Sequence, residues 1–192
     1  MKYVISLQGP MASGKTTLAK RLEQQGMKII YENPYPIVEK SRSLKLDICT
    51  KEGFITNQNF FIEAKIKEYQ SVQGDIIIFD RGPEDIEFYT IHYPKIIGVD
   101  WEIEKELREE LQQLRECRSN AIFYLTVSKE VLQQRKEKDI TRRRSTFEEQ
   151  LELVEAEQRW YKQFPVTYVD VDKKKIEEVE MYFMKWMEEN HM

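Results

Sequence analysis

The residues best suited to chemistry form a glycine-rich stretch near the start of the chain. From Gly9 to Thr16 the sequence matches the pattern G-x-x-x-x-G-K-[ST] at every fixed position. Its glycines let the backbone turn so that successive N–H groups can bind an anion, and the helix that follows adds its positive dipole end. The Lys15 ammonium can reach the β- and γ-phosphates, and the Thr16 hydroxyl can bind Mg²⁺. We therefore predict a nucleoside triphosphate site formed by Gly9, Pro10, Met11, Ala12, Ser13, Gly14, Lys15, Thr16 and Thr17.

The segments on either side of this loop are those that its function requires. Residues 2–7 are mostly apolar and rich in β-forming side chains, which predicts a buried strand. Behind the loop, Leu18 and Leu22 lie at helical spacing and would share one apolar face. The chain is therefore expected to begin with a strand, a phosphate-binding loop and a helix.

Two further predicted strands end on residues that could act on a phosphate. Residues 28–31 precede Glu32, and residues 75–80 end on Asp80, which fits the Walker B carboxylate that holds Mg²⁺ directly or through water. Ligands of open α/β sheets bind beyond the carboxyl ends of the strands. Glu32 could thus face the reacting phosphate, or it could be a solvated loop carboxylate. Arg81 could clamp an anion, or it could pair with a neighbouring carboxylate.

A basic run occupies the region between two late helices. From Arg135 to Arg144 it holds six basic residues against two acidic ones. Such runs are usually solvated faces or nucleic-acid patches. In a P-loop protein the run instead predicts a lid, about residues 135–145, that closes over the phosphates. Its arginines would stabilise charge in the transition state, and the candidates are Arg142, Arg143 and Arg144.

The remaining patterns predict an alternation of helices and strands. We expect helices over 37–49 and 58–72, with a break marked by Gly53 and Asn57, and another helix over 101–116. Strands are predicted over 121–127 and 166–171, and Ile176, Val179, Phe183 and Trp186 have the spacing of a final amphipathic helix. The aromatic residues Tyr35, Phe60 and Phe61 could stack on a base or belong to the core.

Composition excludes several classes of function. The chain has 192 residues and a net charge of −4, which suits one domain over 1–192 and argues against general nucleic-acid binding. Two isolated cysteines and two histidines predict neither a disulfide framework nor a His/Cys metal site, so we expect a cytoplasmic protein. No apolar run reaches transmembrane length, and we expect no membrane partner.

Taken together, the motifs resemble the P-loop kinase group of nucleoside and nucleotide kinases, and their order is most similar to that of deoxynucleoside kinases. The resemblance rests on the glycine-rich loop, Glu32-Asn33-Pro34, Asp80-Arg81-Gly82 and the Arg142-Arg143-Arg144 lid. It implies a three-layer α/β/α P-loop NTPase fold, with a five-stranded parallel sheet in the order 2-3-1-4-5.

The resemblance also implies roles for single residues. Glu32 would be the base that faces the acceptor hydroxyl, Asp80 would serve the metal, and Arg81 would contact the 5′ end of the substrate. Gly82 replaces the usual serine, and Asn33 separates Glu32 from Pro34. No residue clearly matches the glutamine that reads the base in the family, for which the candidates are Gln58 and Glu63.

These features predict an ATP- and Mg²⁺-dependent phosphotransferase whose partner is a small-molecule hydroxyl, best matched by a nucleoside. A nucleoside monophosphate kinase similar to thymidylate kinases is the alternative, in which Arg81 and Arg42 would clamp the acceptor phosphate. Antibiotic- or shikimate-type kinases and a non-transferring P-loop ATPase or switch stay open. The sequence leaves the choice of ATP over GTP open, and it leaves a homodimer open as the oligomeric state.

Overall fold

The computed structural model of the chain describes residues 2–138 and 147–190. Its elements in chain order are β1 (Tyr3–Gln8), α1 (Lys15–Gln24), β2 (Ile29–Ile30), α2 (Tyr35–Ser43), α3 (Lys51–Ser71), β3 (Ile76–Asp80), α4 (Pro83–Ile96), α5 (Ile103–Glu106), α6 (Arg108–Arg115), β4 (Ala121–Thr126), α7 (Lys129–Lys138), α8 (Phe147–Tyr161), β5 (Val166–Asp170) and α9 (Ile176–Glu189).

The chain divides into two compact units. The first, here called the sheet unit, comprises Met1–Tyr31, Gly74–Asp80 and Asn120–Met192. The second, here called the helical unit, comprises Glu32–Gln73 and Arg81–Ser119. The chain passes from the sheet unit to the helical unit after Tyr31 and again after Asp80. The first residues of the helical unit after these two crossings are Glu32 and Arg81, both of which are predicted site residues.

The sheet unit contains five parallel strands in the order β2-β3-β1-β4-β5, which confirms the predicted fold class and strand order. The register pairs Leu7 of β1 with Asp80 of β3 and Gln8 with Tyr124 of β4. Because all strands run the same way, their carboxyl ends share one edge of the sheet. The loop after β1 and the end of β3 therefore lie beside each other.

Helices cover both faces of this sheet, as strands that are buried on both sides require. On one face, Ile5 and Leu7 pack in a core with Leu22 of α1 and Phe183 of α9. On the other face, Ile122 and Tyr124 pack with Tyr161 of α8. The central strands are buried on both sides, and β1 carries the polar residues Ser6 and Gln8 among its buried positions.

The helical unit has a core of its own, and one predicted break in it is wrong. Gly53 lies inside α3, because Thr50 caps the helix by accepting a hydrogen bond from the Gly53 N–H at 3.2 Å. A β-carbon at Gly53 would overlap the carbonyl oxygen of Asp47, so this glycine serves close packing rather than helix termination. Asn57 also lies inside α3, where its side chain accepts from the Ser41 hydroxyl at 2.6 Å.

The helix predicted over 101–116 is in fact two helices. The backbone leaves helical geometry at Leu107, where φ is −108° and ψ is 33°, so α5 ends and α6 begins at that residue. The predicted apolar stripe nevertheless forms the core with Phe54 and Ile62, and its members are Ile103, Leu107, Leu111 and Leu114. The periodicity thus identified the buried face although it missed the break.

Over residues 2–138 and 147–190, none of the helices combines the length and the apolar character needed to span a bilayer.

Candidate functional site

The glycine-rich loop adopts the backbone conformation that an anion-binding concavity requires. Three of its residues have positive φ angles, namely Gly9 at 131°, Ala12 at 69° and Gly14 at 106°. Alternation of right- and left-handed backbone turns successive N–H groups toward one centre. A β-carbon at Gly9 would overlap the carbonyl oxygen of Leu125, so this position also excludes any side chain. The loop then leads into α1 at Lys15.

The Lys15 side chain is buried against the loop that it follows. Its ammonium donates to the carbonyl oxygens of Gly9 at 2.6 Å and Pro10 at 2.9 Å, and it lies 3.4 Å from the Ser13 hydroxyl. A buried ammonium is stable only when polar groups replace its water. These contacts hold a positive charge within the loop, where it can stabilise bound phosphate oxygens.

Thr16 and Asp80, which the sequence analysis assigns to Mg²⁺, are in direct contact. The Thr16 hydroxyl donates to Asp80 Oδ2 at 2.7 Å, and Asp80 is buried at the end of β3. Mg²⁺ prefers oxygen ligands and is usually held by one or two protein groups together with substrate phosphates and water. A hydroxyl and a carboxylate beside a phosphate-binding loop fit that requirement. The described residues gather no group of three or more His, Cys, Asp and Glu that could hold a metal alone.

Tyr31 directly precedes Glu32, the predicted general base, and its phenol is a second group there that could exchange a proton. Its hydroxyl donates to Glu23 Oε2 at 2.9 Å. Burial, and next the hydrogen bond to Glu23, raise the pKa of Tyr31 to about 12. The phenol therefore stays protonated at physiological pH and acts as a donor only.

Within the helical unit, a pocket gathers the residues that follow β2 and β3 in the chain. It is lined by apolar side chains and by three carboxylates against two cations, namely Glu32, Glu68 and Asp85 against Lys65 and Arg81. Phe61 supplies an aromatic wall, and its stacking on a base stays a prediction. A pocket with a small number of convergent polar groups is typical of a small-molecule site.

Arg81 organises this pocket through two ion pairs. Its Nε lies 3.2 Å from Glu32 Oε2, and its Nη1 lies 2.5 Å from Asp85 Oδ1. The backbone of Arg81 is left-handed, with φ at 70°, which costs on the order of 1–3 kcal/mol in a residue other than glycine. The Lys65 ammonium donates to the Arg81 carbonyl at 3.2 Å and helps to hold that conformation. Strain of this kind is typical of functional sites.

The two carboxylates paired with Arg81 differ in their access to solvent. The Glu32 side chain is 45% exposed, whereas that of Asp85 is 17% exposed. Asp85 lies in the first turn of α4, four residues after Arg81 in the chain. Asp85 is therefore suited to fix Arg81, and Glu32 is the carboxylate that an entering ligand can reach.

Sequence reasoning missed Lys65 and Glu68 as pocket residues. Lys65 Nζ donates to Glu68 Oε2 at 2.6 Å, and Lys65 is buried. Together with Phe61 these residues recur at intervals of four and three, which puts all three on one face of α3. That spacing was a usable signal, because it places a pair of opposite charges next to an aromatic side chain on one face of the helix.

Other candidates lie outside the pocket lining. Arg42 is exposed near the end of α2. The buried Gln58 accepts from the Thr90 hydroxyl at 2.9 Å, and Glu63 accepts from Asn59 on the exposed surface of α3. Tyr35 is exposed, and the Phe60 ring lies under the Lys40 ammonium at 3.4 Å.

The predicted lid is described only in part. Residues 135–138 form the end of α7. Arg142, Arg143 and Arg144 lie outside the described residues, so their contribution stays a prediction.

A family model described as an AAA domain matches residues 4–178, which is nearly the whole chain. The chain belongs to the AAA domain family. Its P-loop, Lys15 and the Thr16–Asp80 pair all lie within the matched region. Among curated proteins, no sequence matches this AAA domain.

Solved structures similar to this AAA domain include kinases. Deoxyadenosine kinase from M. mycoides with bound dCTP aligns with a TM-score of 0.73 at 19% identity, over 97% of this chain and 99% of that one. The same enzyme with bound dATP aligns with a TM-score of 0.71 at 21% identity, over 96% and 99%. Thymidylate kinase from Candida albicans aligns with a TM-score of 0.66 at 20% identity, over 99% and 92%. The predicted resemblance to P-loop nucleoside and nucleotide kinases is thus confirmed at the level of the fold.

The contact between Thr16 and Asp80 predicts unequal effects for two adjacent threonines. Thr16→Val removes the hydroxyl that donates a hydrogen bond to the buried Asp80 carboxylate. This change should lower the free energy of unfolding by about 1–3 kcal/mol. Thr17 is exposed, and Thr17→Val should change it by less than about 0.5 kcal/mol. Denaturant unfolding of both variants measures the difference, and Thr16→Ser should recover most of the loss. Equal stability of the two valine variants would contradict the contact.

Proposed function

We propose that this AAA domain is an ATP- and Mg²⁺-dependent kinase that transfers the γ-phosphoryl group to the hydroxyl of a nucleoside. The two units have separate tasks in this proposal: the sheet unit binds the donor and the helical unit binds the acceptor. The similar fold of deoxyadenosine kinase from M. mycoides supports a nucleoside as the acceptor. The observation that carries the proposal is the charge balance of the acceptor pocket.

That balance favours a neutral acceptor over a phosphorylated one. A monophosphate brings about two negative charges, and clamping it requires cations whose charge is available. The guanidinium of Arg81 already pairs with Glu32 and Asp85, and the ammonium of Lys65 already pairs with Glu68. In the nucleoside monophosphate kinase alternative, Arg42 would clamp the acceptor phosphate together with Arg81, but Arg42 does not line the pocket. A hydroxyl acceptor brings no charge and can use the carboxylate of Glu32.

Each residue of the proposed mechanism has a defined task. Glu32 accepts the proton of the acceptor hydroxyl as its oxygen attacks the γ-phosphorus, the bond from that phosphorus to the β,γ-bridging oxygen breaks, and ADP leaves. Arg81 orients the Glu32 carboxylate. Lys15 and the N–H groups of the loop stabilise negative charge on the phosphate oxygens. Thr16 and Asp80 would hold Mg²⁺, which would supply positive charge to neutralise the phosphates of ATP. Arg142, Arg143 and Arg144 supply further positive charge from the lid.

Both cysteines within the described residues are free thiols, which supports a reducing cytoplasm.

An acceptor panel tests the proposed activity. ADP release from ATP and Mg²⁺ is measured with deoxynucleosides, their 5′-monophosphates and small alcohols such as shikimate. We expect release above the acceptor-free background with at least one nucleoside, and loss of that release in a folded Lys15→Ala variant. Stimulation by monophosphates alone would favour the nucleotide kinase alternative. Equal hydrolysis with and without every acceptor would favour a non-transferring ATPase.

Glu32→Gln tests the proposed base. The amide keeps the shape of the side chain but cannot take a proton, so kcat with a nucleoside should fall by roughly 10²–10⁴-fold while ATP affinity stays nearly unchanged. Glu39→Gln is the matched control, since Glu39 is exposed on α2 and does not line the pocket. Single-turnover rates and nucleotide binding separate the two effects. An unchanged rate with a hydroxyl acceptor would remove Glu32 from the mechanism.

A further inference from the structure

Arg135 of α7 contacts backbone in two separate loops of the sheet unit. Its Nη1 donates to the carbonyl oxygen of Ser13 at 3.1 Å and reaches that of Ala12 at 3.4 Å. Its Nη2 donates to the carbonyl oxygen of Val171 at 2.8 Å. Ala12 and Ser13 belong to the phosphate-binding loop, and Val171 directly follows β5. One guanidinium therefore joins the loops that follow β1 and β5, the two strands on either side of β4.

The contact with Ser13 determines where a phosphate-binding group points. A trans peptide unit is planar, and its C=O and N–H point in opposite directions. The carbonyl of Ser13 and the N–H of Gly14 belong to one such unit. When Arg135 holds the carbonyl, it also fixes the direction of the Gly14 N–H. Ala12 is left-handed at φ 69°, so the contacts with Arg135 also help to hold an unfavourable backbone conformation.

The contact with Val171 fixes the second loop. The Val171 N–H donates to the Thr126 carbonyl at 3.0 Å, and Asp172 Oδ1 accepts from the Ser128 N–H at 2.8 Å. Ser128 precedes α7, the helix that carries Arg135. The loop after β5 is thus tied to α7 at its start through Ser128 and farther along through Arg135.

The surroundings of the guanidinium strengthen these bonds. Burial lowers the pKa of Arg135, and the charge of Asp172 opposes this change. A guanidinium withdrawn from water makes stronger hydrogen bonds to carbonyl oxygens than an exposed one does. The two Nη atoms of the guanidinium donate to carbonyl oxygens in two different loops at once. The ammonium of lysine is a compact point charge and cannot reach both loops in this way.

We propose that Arg135 is a positioning residue of the donor site. Through backbone carbonyls it holds the phosphate-binding loop and the loop after β5 in one geometry, so that less ordering is needed when phosphate binds. The proposal rests on the proposed function only in taking ATP as the ligand. It separates Arg135 from the predicted lid arginines, which would act by charge on the phosphates.

Arg135→Lys and Arg135→Gln separate positioning from charge. Lysine keeps the charge but loses the fork, so both variants should weaken ATP binding by a similar factor of roughly tenfold or more. Both should also speed hydrogen exchange of amides in residues 9–14 without nucleotide present. Arg159→Lys is the control, because Arg159 is exposed on α8, and it should change neither quantity. Denaturant unfolding verifies that each variant is folded.

The outcomes distinguish this proposal from the proposed function. Wild-type ATP affinity in Arg135→Lys would overturn the proposal, because charge alone would then suffice. Unchanged exchange in both variants would overturn it as well. If the wild-type protein bound no ATP while the exchange of residues 9–14 still rose in both variants, the proposed function would fail and the positioning role would stand.

Discussion

The parallel register of β1 and β3 is the constraint on which the donor site depends. It pairs Leu7 with Asp80, so that the loop after β1 begins beside the end of β3. The Thr16 hydroxyl then meets the Asp80 carboxylate at 2.7 Å without any long connecting side chain. A shift of one residue in this register would turn the Asp80 side chain to the opposite face of the sheet. The buried apolar residues Ile5 and Leu7 of β1 and Ile78 of β3 oppose such a shift, so core packing and site geometry are set by the same pairing.

The pocket of the helical unit depends on a second constraint, which is the balance of charge around Arg81. The chain leaves β3 at Asp80 and enters α4 at Pro83, so Arg81 and Gly82 alone make the connection. Arg81 takes a left-handed conformation in this short connection, held by Lys65 on its carbonyl and by two carboxylates on its guanidinium. The ion pairs with Glu32 and Asp85 that support the Arg81 backbone also neutralise the charge of its guanidinium. The proposal of a neutral acceptor rests on this pairing.

The sequence predicted the features that follow from short-range pattern. The loop followed from the fixed spacing of its residues, whereas the strand order followed from the resemblance to P-loop kinases. The contact between Thr16 and Asp80 was not itself predicted, although both residues were expected to serve the same metal ion. The pairing of Arg81 with carboxylates was one of two interpretations, and only tertiary structure identified Glu32 and Asp85 as the partners. The positions of Lys65 and Arg135 could not be predicted with the same ease. Spacing indicates the face of α3 that carries Lys65, but it does not fix where a long side chain ends. The contacts of Lys65 with the Arg81 carbonyl and of Arg135 with two loops therefore emerged only from the tertiary structure.

Errors in the predicted elements have a common cause. Glycine was taken as a helix breaker at Gly53, whereas close approach to Asp47 explains it. An unbroken apolar stripe was taken as one helix around Leu107, although two short helices bury the same stripe. In both places tertiary packing overrode local preference, which pattern alone cannot reveal.

The identity of the labelled product tests most directly whether a hydroxyl is the acceptor. A single turnover with γ-labelled ATP and Mg²⁺ is run with equal concentrations of deoxyadenosine and its 5′-monophosphate, and the products are separated by chromatography. A nucleoside kinase puts the label in the nucleoside monophosphate, and this is the result that we predict. Label in the nucleoside diphosphate, or in inorganic phosphate alone, would contradict the account.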